Sequence, residues 1–133
     1  MNNTHDFDDG NGPVPAHQHP KGGGWVADTA SVSETAYVGP SAKVFGNAVV
    51  YGKAVVYGKA RVYGDAVICE NAFVCCNAEV CGKAMVYGKA WVCGNAQVLG
   101  CAVVRENAHI SGNAVVSGYT EVCGDAWVGG YHE

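Results

Sequence analysis

From Trp25 the chain repeats every six residues, eighteen times up to Gly130–His132, without one insertion. The second position of every hexad is Val or Ile, from Val26 through Ile68 to Val128. The sixth is Ala in sixteen of eighteen, with Thr120 and His132 the exceptions. The fourth is Gly in twelve of eighteen, and the fifth is mostly Asn, Lys, Asp, Ser or Thr. A fixed period of this kind decides the architecture before any other property is consulted.

The period translates directly into geometry. Successive side chains of a strand point to opposite faces, so Ala-x-Val-x places Ala and Val inside and both x positions outside. The remaining two residues, typically Gly-Asn or Gly-Lys, make a corner, where Gly tolerates unusual backbone angles and Asn tolerates the left-handed region. Small Ala suits the narrow interior just past the corner. A strict period of six leaves no 3.6-residue stripe, so an amphipathic helix is excluded. Three hexads per turn put residues 18 apart in register. The expectation is an all-β, single-stranded parallel β-helix of six turns, about 29 Å long at the spacing of neighbouring strands.

Residues 25–133 carry this repeat; residues 1–24 form a different segment rich in Asn, Asp, Gly, Pro and His, closing on Gly22, Gly23 and Gly24. Such a composition is expected to bury no core and to be a flexible arm, or to fold over one end as a cap, since exposed ends of repeat arrays need covering. His17 and His19 are two apart, but no carboxylate or cysteine stands beside them at ligand spacing, so they read as part of a solvated arm. The net charge of −4 argues against a general attraction to nucleic acid or anionic membrane. No run approaches the roughly 18 apolar residues of a membrane span. The start, MNNTHDFDDG, lacks the basic and apolar regions of a secretory signal. A cytoplasmic or virion-associated protein is expected, with its seven cysteines reduced.

Repeats such as Gly52–Gly58, Gly-Lys-Ala-Val-Val-Tyr-Gly, make the chain resemble the hexapeptide-repeat superfamily. The likeness is closest to its short, regular members from phages, prophages and bacterial genomes. It implies a left-handed β-helix and a trimer. Many members are acyltransferases, with a histidine as general base and an inserted loop that helps build the coenzyme A site. Here no loop interrupts the hexads. His109 is the histidine such a reaction would use, at a subunit groove, and a coenzyme A thioester would be the cofactor only in that case. The γ-type carbonic anhydrases of this fold need two histidines five apart, a pair this sequence lacks.

Register sorts the outward residues by face. The first face shows Trp25, Lys43, Arg61, Glu79, Gln97 and Val115, with Phe45, Tyr63, Cys81 and Leu99 beside them. The second shows Val49, Val67, Met85 and Val103, flanked by Tyr51, Cys69, Tyr87 and Arg105. The third shows Tyr37, Val55, Phe73, Trp91, His109 and Trp127, flanked by Tyr57, Cys75 and Cys93. The second and third faces are apolar strips larger than a soluble monomer usually exposes, and aromatic-rich centres mark interfaces. These residues are the expected binding surface, for a homo-oligomer (trimer first, dimer through the third face second) or a heterologous protein.

Other chemistry finds little support in the pattern. Glu34, Lys53, Glu70, Lys89, Glu106 and Asp125, at the corner between the second and third faces, predict a ladder of ion pairs that holds register. Cys75, Cys93 and Cys76 lie close enough to suggest a soft metal, but the repeat dictates their spacing and they read as small fillers, so no metal site is expected. Lys53, Lys59, Lys83 and Lys89 fall on different corners and make no track for nucleic acid. The expected function is a non-enzymatic, oligomeric scaffold or binding protein: a virion component, or an inhibitor of a host defence protein. The alternatives are an acyltransferase and a sink for a nucleotide-like molecule.

Overall fold

The computed structural model describes residues 4–7, 10 and 12–129. The close of the last hexad, with His132, lies outside the described residues, as do parts of the arm. Strands of mostly two residues assemble into three sheets of eight, six and six strands. Within the repeat all pairing is parallel and joins residues 18 apart: Glu79 with Gln97 on the first face, Val67 with Met85 on the second, Phe73 with Trp91 on the third. The result is a β-solenoid of about six turns whose sheets form the sides of a triangular prism.

The alternation sets the ladder as well as the core. First-, third- and fifth-position N–H groups donate to the next turn, as Val67 does to the carbonyl of Ala84 (2.9 Å) and Asn71 to that of Gly88 (2.9 Å). Every inward Ala, Val and Ile from Ala36 to Ile110 is buried in one continuous cluster. Burial of a Val side chain contributes about 1.5–3 kcal/mol, so the column of Val and Ile is the main source of stability.

At the corners the left-handed angle falls on the fourth position, and the fifth-position Asn residues do not share it. Gly82 shows the reason for glycine. Its φ is +67°, and a Cβ there would lie 2.8 Å from the backbone nitrogen of Gly100 in the next turn. Glu70, Cys76 and Glu106 accept the same angle (φ 61°, 64° and 61°). Non-glycine residues pay roughly 1–2 kcal/mol for it.

The expected ion-pair ladder is corrected by register. Glu34, Glu70 and Glu106 hold the fourth position, whereas Lys53, Lys89 and Asp125 hold the fifth, so the two sets stand in neighbouring columns. Glu70 Oε1 accepts the N–H of Gly88 (2.8 Å), and Glu106 Oε1 that of Gly124. Asn107 Nδ2 donates to Asp125 (3.3 Å), and Glu106 pairs with Arg105 (3.3 Å). Among the described residues no ion pair joins these acids to Lys53 or Lys89. The carboxylates satisfy corner amides that the ladder leaves over.

The segment before Trp25 is built into the prism. β1 (Thr4–Asp6) pairs antiparallel with β2 (Pro13–Gln18), which pairs antiparallel with β3 (Trp25–Ala27), the first strand of the first face. His5 stacks on Trp25 (4.6 Å) and Phe7 on Phe45 (4.8 Å), so the arm lies against the outer side of the first face. Phe7 is 1% exposed and anchors a second cluster with Ala16, Ala27 and Phe45. The expectation that this composition buries nothing fails at Phe7, because one aromatic side chain meets a ready-made aromatic column. Residues 21–24 cover the first strand of the third sheet: Val38 N–H donates to the Lys21 carbonyl, and Gly24 N–H to that of Val38. A Cβ at Gly22 or Gly24 would collide with the carbonyls of Val38 and Gly39. These glycines permit a close approach of two backbones.

Candidate interaction surface

The third face carries a column of stacked rings. Phe73, Trp91, His109 and Trp127 follow one another on successive turns, with centroids 4.9, 5.5 and 4.6 Å apart and planes within 19° of parallel. The strand spacing of about 4.8 Å is close to the distance at which aromatic planes stack, so an aromatic at each first position places its ring on the one below. Tyr57 meets Phe73 edge-on at 6.1 Å. Lower in the same column Tyr37 and Val55 are half-buried, and Val55 separates Tyr37 from the stack. Stacking covers the ring faces and leaves their edges in water. Trp127 stays 70% exposed and Trp91 39%.

The second face is flatter and aliphatic. Val49, Val67 and Val103 are half-buried, Met85 is exposed, and Tyr51 stands exposed beside them. Its far end is charged, where Arg105 Nη2 reaches Glu121 (3.7 Å). The first face also holds an aromatic column: Phe7, Phe45 and Tyr63 stack at 4.8 and 4.9 Å, with the Arg61 guanidinium over Phe45 and Tyr63. Phe45 and Tyr63 in register were legible as a signal. The partner ring from Phe7, 38 positions away, was not.

His109 sits between two indoles, with Nδ1 3.2 Å from the carbonyl oxygen of Asn107. Its surroundings are aromatic rings and one backbone carbonyl, which hold the ring in place by packing. The two arm histidines diverge. His17 Nδ1 lies 2.8 Å from Asp28 Oδ1, while buried His19 sets Nε2 2.8 Å from the Ala36 carbonyl oxygen. Among the described residues no group of three His, Cys, Asp or Glu could hold a metal ion.

The thiols form no disulfide and differ in exposure. Cys75 is 4% exposed, and burial pushes its thiol up to about 12. Burial likewise raises Cys93 and Cys69. Cys76, whose Sγ lies 3.6 Å from that of Cys75, is exposed. Only the thiolate attacks an alkylating reagent. Iodoacetamide at pH 8 should therefore modify Cys76 first, and Cys75 should lag about 100-fold or more behind, its rate still rising with pH beyond 10. Peptide mass spectrometry over time checks this; equal rates at the two positions would show that Cys75 is not shielded.

Parallel three-sheet coiling and the fixed 18-residue step define a β-solenoid repeat protein. In keeping with this class, a family model described as the YdcK β-solenoid repeat matches residues 42–58, about the span of one turn. No curated protein and no solved structure matches the chain. No helix among the described residues is long and apolar enough to cross a membrane.

Proposed function

We propose that this chain is a non-enzymatic β-solenoid scaffold that works by binding, first of all to copies of itself through the third face. The observation that carries this reading is the ring column from Phe73 to Trp127, exposed at Trp91 and Trp127, with exposed Tyr57 beside it. The contrast with the first face supports it. There the arm stacks Phe7 on Phe45, whereas residues 21–24 reach the third face only at its first strand and no described arm residue stacks on the column from Phe73 to Trp127. Aromatic side chains at the centre of a contact carry most of its energy. A trimer is the leading form and a dimer through the same face the second. A rigid prism of this kind suits a virion component or a protein that occupies a host partner, and no coenzyme or metal enters the reading.

Light scattering on the wild type and on Trp91→Glu tests it. The wild type should run as an oligomer. A buried carboxylate in the centre of the contact should weaken association by about 30-fold or more and shift the mass to the monomer. If both proteins run as monomers, self-association through the third face is wrong and the surface belongs to a different protein.

A further inference from the structure

Between successive faces the sixth-position Ala turns inward, so the outward fifth-position residue and the next first-position residue stand either side of a gap. Stacking two turns makes each gap a shallow dent bounded by four side chains. Most of these dents are lined by neutral or mixed groups. At the corner between the third and first faces, on two adjacent turns, the four are Ser41, Lys43, Lys59 and Arg61, around a dent of ≈ 400 Å³. Further along the same columns stand Asn77, Glu79, Asn95 and Gln97, so the positive charge is confined to this place. Three of the eight Lys and Arg residues of a chain with net charge −4 meet here.

This arrangement is costly without a counter-charge. Lys43 and Arg61 are directly paired on neighbouring strands, and like charges placed so repel. Arg61 has partial compensation, with Glu79 at 3.9 Å from Nη1 and the Phe7 carbonyl accepting from Nη2 at 3.0 Å. Its Nε is buried and has no hydrogen-bond partner among the described residues. The ammonium groups of Lys43 and Lys59 make no ion pair or hydrogen bond among the described residues. Docking of the arm thus holds the guanidinium beside two lysines that no described residue neutralises, with a serine hydroxyl as a further donor.

We propose that this dent binds a phosphoryl group carried by a small molecule. Two ammonium groups that no described residue pairs and a partly neutralised guanidinium exceed what the one described carboxylate balances, and match a phosphate dianion surrounded by donors. The dent spans two turns and ends at Glu79, so a single phosphoryl-bearing group fits it and a nucleic-acid backbone does not. The site lies on a corner and draws on residues outside the ring column, so it stands independently of self-association through the third face.

Calorimetric titration with inorganic pyrophosphate tests it on three full-length proteins: the wild type, Lys43→Gln/Lys59→Gln, and a control, Lys83→Gln/Lys89→Gln, that removes the same charge elsewhere. Circular dichroism confirms that these outward-facing substitutions leave the fold in place. Saturable binding of one pyrophosphate per chain is expected, weakened about 10-fold or more in the first variant and less than about 2-fold in the control. No saturable binding to the wild type at millimolar pyrophosphate overturns the proposal. Equal weakening in both variants overturns it too, since that reports general charge. Tighter binding of glutarate than of pyrophosphate would rule out the phosphoryl assignment.

Discussion

Val74→Asp should abolish folding. Val74 is fully buried at the middle of the prism and in register with Val56 below and Val92 above. A carboxylate placed there has only Val, Ile and Ala for company. The cost of burying it unpaired, whether paid as an ion or by forced protonation, is at least several kcal/mol. That is most of the roughly 5–15 kcal/mol by which a domain is stable. The adjacent Phe73 is the control. Phe73→Asp changes the neighbouring side chain in the same way but faces outward, and loses about 0.5–1.5 kcal/mol for each ring contact. Far-UV circular dichroism with urea should show Val74→Asp unfolded in buffer and Phe73→Asp folded with a lower midpoint. Two variants of similar stability would mean that the inward and outward columns are misassigned.

Ala90→Leu should destabilise by overpacking. Ala90 is fully buried in the column of Ala72 and Ala108. Adding methylenes to a well-packed interior usually costs about 1–3 kcal/mol. Here the upper end or beyond is expected, because the ladder holds the sheets at fixed separation and three sides close on the same space. Lys89→Leu, one residue earlier on the outer corner, should change stability by less than about 0.5 kcal/mol. Urea midpoints separate the two; a harmless Ala90→Leu would indicate a wider, more deformable interior than the Val and Ala columns imply.

The aromatic column shows how a structural rule and a functional reading can share residues. Stacking of Phe73, Trp91, His109 and Trp127 stabilises the rungs whether or not anything binds them. The interface reading rests on what stacking leaves over, the ring edges of Trp91 and Trp127 and the exposed Tyr57. The first face offers the comparison within one molecule. Its column of Phe45 and Tyr63 is closed off by Phe7, and Arg61 is drawn over the same rings. A ring from another segment can therefore continue an aromatic column on this prism.

Much of this protein was readable from the hexads alone. Strand positions, the parallel step of 18, the inward Val and Ala and the membership of each face all follow from a period that every turn repeats, since each turn packs on copies of its own pattern. What tertiary structure decided lies where the pattern stops or where neighbouring columns must be told apart. Glu70 and Glu106 accept the amides of Gly88 and Gly124 instead of pairing with Lys53 and Lys89, which stand in the neighbouring column. Phe7 found Phe45, and Arg61 the Phe7 carbonyl, through contacts between residues 38 and 54 positions apart. Such contacts form once, so no periodicity announces them. The repeat is a local rule that folds the prism turn by turn, whereas the docked arm and the basic dent beside it depend on which single side chains the finished prism brings together.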